Sequence, residues 1–137
     1  MADQKQLNVA VVSAERLLWT GPAKSLVAKT PEGDIGILPG HEPVLALLVE
    51  SPLKIEELDG SKLLIAVHGG FFSVEHDNVN VIAEVAELAE DIDLERAQAA
   101  LARIKADGVV TDDEAPALRR AETRVQVASV AKGIIAR

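Results

Sequence analysis

Cysteine is absent from the 137 residues, which excludes disulfides, thiolate metal ligands and dithiol redox motifs. Aromatic side chains are almost missing: Trp19, Phe71 and Phe72 are the whole set, with no tyrosine. A core must therefore be aliphatic, and the stacking platforms that grip nucleic-acid bases are lacking. Positive charge is scarce as well. Fourteen Lys and Arg face 22 Asp and Glu, and a net charge of −8 repels phosphate backbones, so no nucleic-acid partner is expected. Long apolar runs are missing too: VLALLV at 44–49 is far short of the ~20 residues that span a bilayer. The opening MADQKQLNVAVVSAE has no basic stretch ahead of an apolar one. No signal peptide and no direct membrane insertion are expected.

What is present suits a folded domain with a smaller appendage. Hydrophobic residues make up 48% of the chain, enough to bury a core. Over residues 7–85, short apolar segments recur with turn signals between them. They are LNVAVV (7–12), ERLLWT (15–20), SLVAK (25–29), VLALLV (44–49), LKIEEL (53–58), KLLIAV (62–67), FFSVE (71–75) and VNVIAEV (79–85). Gly21-Pro22, Pro31-Glu32-Gly33, Ser51-Pro52, Asp59-Gly60, Gly69-Gly70 and His76-Asp77-Asn78 read as their separators. Strands at this spacing without intervening helices predict an antiparallel sandwich or barrel. GDIGILPGHEP at 33–43 reads as a turn-rich corner or a surface built for contact.

Beyond Glu87 the period changes. Leu94, Ala97, Leu101 and Ile104 share one helical face, with Asp93 as N-cap and Gly108 as stop. Thr111-Asp112-Asp113-Glu114 has capping-box spacing, and Pro116 shifts the start of a second helix towards Glu114. Leu118, Ala121, Val125 and Ala128 form its stripe. A short connection makes the pair an antiparallel hairpin. Both stripes are narrow and alanine-rich, which predicts weak docking and a mobile arm. Residues 91–137 carry eight bases and eight acids, so the entire −8 lies in residues 1–90.

Chemistry-bearing sets are few. His41, His68 and His76 lack metal-ligand spacing and read as solvated or core-edge side chains. Ser73, His76 and Asp77 lack a nucleophile elbow, and no phosphate-binding GxxxxGK[ST] loop occurs. No metal site and no catalytic residue is expected. The arginines carry more information. Arg96 and Arg103 share a face of the first helix, Arg120 and Arg124 a face of the second. A hairpin closing on those faces gathers four guanidinium groups, an arrangement that calls for an anion. Otherwise these are solvated faces with local salt bridges.

TPEGDIGILPGHEPVLALL (30–48), HGGFFSVEHDNVNVIAEVAELAEDIDLERA (68–97) and RRAETRVQVA (119–128) resemble the ε subunit of bacterial F-type ATP synthase, in order and spacing, over essentially the whole chain. Pro116 and the Ala/Val-rich end depart from the pattern. The resemblance implies an N-terminal antiparallel β-sandwich over 1–88 that binds the γ subunit and the c-ring. It also implies a C-terminal two-helix hairpin over 89–137 that reaches the α and β subunits and blocks ATP hydrolysis. The expected place is the cytoplasmic face of the bacterial plasma membrane, peripheral, within the synthase complex. Asp34 and His41 are implied as γ or c-ring contacts. Ile92-Asp93-Leu94-Glu95-Arg96-Ala97 matches the family's ATP-sensing motif, and Glu87, Arg103, Arg120 and Arg124 match further positions of that site. No cofactor is required on this reading, with ATP as a regulatory ligand. The competing expectation is a free-standing β-sandwich binding module with a helical dimerisation tail.

Overall fold

The computed structural model describes residues 5–106 and 108–133. Its strands are β1 (Leu7–Val12), β2 (Leu17–Thr30), β3 (Gly33–Ile37), β4 (Val44–Leu47), β5 (Ser51–Glu57), β6 (Lys62–Glu75) and β7 (Asn78–Leu88). A 3-10 turn at Ala89–Asp91 leads to α1 (Leu94–Lys105) and α2 (Ala115–Ala131). The sandwich followed by two helices is the fold the sequence predicts. Two details differ from it. Pairing is antiparallel throughout except β1–β7, which run parallel, so the sheet is mixed. Neighbours run β1-β7-β6-β5-β2-β3, β4 pairs β6, and β1 also pairs β2, closing the layers on each other.

The second difference is that three expected separators lie within strands: Ser51-Pro52 opens β5, and the other two lie inside long strands. Gly21-Pro22 sits within β2, whose first half pairs β1 and whose second half pairs β3 and β5. Gly69-Gly70 sits within β6, whose first half pairs β5 and whose second half pairs β4. Each long strand bends from one layer into the other, as strands at sandwich corners do. Gly70 is indispensable there: its φ is +105°, and a Cβ would stand 2.1 Å from the Ile82 carbonyl oxygen. β3, within the Gly-rich stretch, pairs Ile35 with Ala28 and Ile37 with Leu26.

Inside the sandwich, alternate residues of each strand meet. Leu7, Val9 and Val11 of β1 join Val79 and Val81 of β7, Leu53 and Ile55 of β5, and Phe72, the largest fully buried side chain. The first half of β6 is buried on both faces. Ile65 and Val67 enter this core, while Leu64 and Ala66 face the helices, where they meet Ile92, Leu94, Val127, Ala128 and Val130. A continuous apolar run, LLIAV, is what such a strand requires.

The hairpin follows its expected caps. The Asp93 carboxylate accepts from the Arg96 backbone N–H at 3.1 Å. Thr111 Oγ1 accepts from Glu114 N, and the Glu114 carboxylate accepts from Thr111 N, a reciprocal box. The helix proper begins only at Ala115, Pro116 sitting in its first turn where its missing N–H costs nothing. α2 buries more side chains than the narrow stripe predicts. Besides Ala121 and Ala128, α2 buries Thr123, Val127, Ser129 and Val130, because one side meets α1 and another meets the sandwich.

Candidate functional site

The end of β7, the 3-10 turn and the two helices enclose a cavity of about 410 Å³, within the size range of small-molecule sites. Glu87 enters from β7, Ile92 and Asp93 from the entry to α1, Arg96, Ala97 and Arg103 from α1, and Arg124 from α2. Alanines at 97, 100 and 121 leave the space open between the helices. Seven of the eight residues expected around a nucleotide thus share one cavity. Arg120, one turn before Arg124, is not part of its lining; its charge acts on Glu50 at the other side of the hairpin.

Charge in the cavity is unevenly satisfied. Arg124 Nε donates to Glu87 Oε1 at 2.7 Å. Arg96 and Arg103 have no ion-pair partner among the described residues. Three carboxylates, Glu87, Asp91 and Asp93, line the cavity beside Arg96, Arg103 and Arg124. With Glu87 paired to Arg124, Asp91 to Arg16 and Asp93 capping α1, Arg96 and Arg103 are the guanidinium groups left to favour an anion. Glu87 is held below its ordinary carboxylate range by the hydrogen bond from His68 and then, against the effect of burial, by Arg124. A second ion pair, Arg119 Nε to Glu50 Oε2 at 2.9 Å, fixes the hairpin further along. Burial alone would raise the Glu50 carboxyl, but Arg119 brings it below its usual value. Among the described residues no cluster of His, Asp or Glu is placed to hold a metal ion.

His68 escaped the sequence reading as a member of this site. Its side chain is only 3% exposed, and its Nε2 lies 2.9 Å from Glu87 Oε1. The available signal was its place in the row Leu64, Ala66, His68, the β6 face turned to the helices. His76, by contrast, is solvated on a turn at positive φ.

The contact surface lies elsewhere. Asp34 is exposed on β3, opposite Lys29 in the register with β2. His41 is half-buried, its Nδ1 2.7 Å from the Glu42 carbonyl oxygen. Its loop is tied to the β6–β7 turn by the Gly40 N–H donating to Asp77 at 2.7 Å. On the outer face of β4, β6 and β7, Leu47, Phe71 and Ile82 form one cross-strand row. With Leu45 and Leu38, 71% and 62% exposed, they leave an apolar area open to solvent.

A closed sandwich with an uncovered apolar face and an arm seated on its side belongs to the class of docking subunits with a helical appendage. Residues 6–89 match the family model for the ATP synthase delta/epsilon chain β-sandwich domain. The ATP synthase epsilon chain of Streptomyces griseus is 43% identical over 125 residues, covering 91% of this chain and 97% of that one. That of Rhodococcus jostii is 51% identical over 98 residues, covering 71% and 80%. The chain belongs to the epsilon-chain family of F-type ATP synthase, a non-catalytic subunit of that enzyme. Solved structures share the fold. A chain of the Euglena gracilis mitochondrial ATP synthase, solved as OSCP/F1/c-ring, matches with a TM-score of 0.70 at 24% identity, covering 98% of this chain and 84% of that one. One from the Tetrahymena thermophila central stalk and c-ring matches with a TM-score of 0.55 at 16% identity, covering 96% and 98%. Among the described residues no helix is long and apolar enough to cross a membrane.

Proposed function

We propose that the chain is a rotor subunit of the central stalk, whose sandwich grips the γ subunit and the c-ring at the cytoplasmic face of the bacterial plasma membrane. The apolar row Leu47, Phe71 and Ile82, with Leu45 and Leu38 beside it, supports this docking role, since an uncovered patch of this kind suits a protein partner. Asp34 and the His41 loop extend the contact, and the bond the Gly40 N–H donates to Asp77 stiffens that loop so that little order is lost on docking. The hairpin is the regulatory part. Released from the sandwich, it reaches the α and β subunits and restrains ATP hydrolysis; seated, it binds ATP as a regulatory ligand.

The observation that carries the regulatory reading is the arginine-lined cavity between the helices, with Arg96 and Arg103 unpaired among the described residues. ATP supplies the phosphates for those guanidinium groups, and Glu87 and Asp93 supply acceptors for polar groups of the nucleoside. Calorimetry of the full chain with magnesium-free ATP tests this. Binding is expected, weakened about tenfold or more in Arg103→Ala, the loss of a charge-assisted pair. Absence of heat at millimolar nucleotide removes the sensor role. Deleting residues 91–137 is expected to leave assembly intact and raise the ATPase rate of the reconstituted complex; an unchanged rate removes the inhibitory role.

A further inference from the structure

The seam between arm and sandwich contains a buried histidine that neither docking nor nucleotide binding requires. His68 lies on the outer face of β6, in line with Leu64 and Ala66, and α2 covers that face. Its Nε2 and the Nε of Arg124 both approach the same oxygen, Glu87 Oε1, at 2.9 and 2.7 Å. Its other ring nitrogen, Nδ1, is buried with no hydrogen-bond partner among the described residues. The side chain of Arg124 is 34% exposed, against 3% for His68.

These facts select a charge state. A neutral ring protonated on Nε2 donates to Glu87 and leaves on Nδ1 only an unused lone pair. A charged ring would bury an N–H without an acceptor, which is the costlier omission. With the ring neutral, Glu87 and Arg124 cancel each other. A proton on the ring makes the group net positive in a place water barely reaches. Arg124 is the member that can leave, since it stands on the arm and is already partly in solvent. The other charged groups nearby are Glu84, whose carboxylate lies over Gly69, and, across the cavity, Asp91, Asp93, Arg96 and Arg103.

We propose that His68 is a proton-operated catch for the arm: neutral, it shares Glu87 with Arg124 and the hairpin stays seated; protonated, it takes Glu87 for itself and Arg124 is released. The catch rests on the release of the hairpin proposed above, and because Glu87 and Arg124 also line the cavity it is read in the chain without nucleotide. Histidine as a residue type changes charge nearest neutrality, so the catch is sought between about pH 5 and 8. Glu87 itself also weakens the seam in acid, but elsewhere on the scale. Its lowered value means that its contribution is complete above the ordinary 4.5 and is lost only as pH falls below that.

The full chain carries its own reporter. Trp19, the single tryptophan, lines an apolar groove with Ala128 and Ala131 of α2. Trp19 emission and amide exchange of α2, corrected for intrinsic rates, are followed from about pH 8 to 5. The docking constant is expected to fall as the pH is lowered, by at most about tenfold per pH unit, the limit for one proton taken up on release. His68→Gln, neutral throughout and still a donor to Glu87, is expected to remain flat until the acid range of Glu87. Nitrogen shifts of the His68 ring in the unaltered chain give a second readout that needs no variant. The expected state is Nε2–H near pH 8, becoming doubly protonated as the α2 signals change. A seam that ignores pH above 5, a glutamine variant that opens at the same pH, or a doubly protonated ring beneath a seated arm would each overturn the catch.

Discussion

The interior of the sandwich and the seam beneath the arm are both buried, yet they are built from different materials. The interior uses branched aliphatics and Phe72, interlocked across the strands, and among the described residues contains no charged side chain. The seam is a smaller cluster, Leu64, Ala66, Ile92, Leu94, Val127, Ala128 and Val130, bordered by the ion-paired groups His68, Glu87 and Arg124 and by Glu50 and Arg119. Apolar packing of the first kind contributes most to stability and responds little to solution conditions. A seam closed by charges is weaker and answers to protons, salt and ligands. On the proposed function, the difference separates a permanent body from a removable part.

The contrast can be broken most strongly from inside the body. Phe72→Ala, at a fully buried position, is expected to cost about 3–5 kcal/mol in urea unfolding, lowering sandwich and arm together. Val127→Ala, fully buried in the seam, should cost about 1–2 kcal/mol, by analogy with other methyl deletions. That loss should appear as reduced exchange protection in α2 while the strands of the sandwich keep theirs. The smallest effect sharpens the contrast further. Asp93→Ala removes the cap of α1 and should cost about 1 kcal/mol, read as fraying at the start of that helix with the sandwich untouched.

Much of this organisation was legible in the sequence because local rules and the final fold agree there. The alternation of Val79, Val81 and Ala83 against outward neighbours matches β7, and Asp93 and the Thr111–Glu114 box mark the helix starts. Gly21-Pro22 and Gly69-Gly70 misled because a strand bending between layers uses the same residues as a strand that ends. β3 went unmarked because GDIGI offers two glycines and a charge in five positions, and its pairing with β2 supplies what its composition does not. The second buried side of α2 was hidden for another reason. Val127 and Val130 lie off the stripe that faces α1, and only the position of the sandwich turns them inward. The cavity arginines were readable from helical spacing, whereas the exclusion of Arg120 from the lining depends on how the hairpin closes against the sandwich, which spacing alone does not give.

Strand β6 has a mechanical consequence. Phe71 lies on its open outer flank, and Leu64, Ala66 and His68 form the bed of the arm, with Gly69 and Gly70 the only residues between the two. A sideways pull on the flank is therefore handed to the bed through covalent bonds across one bend, without any packed interface having to slip. The grip and the release proposed above are then two stations on a single rod.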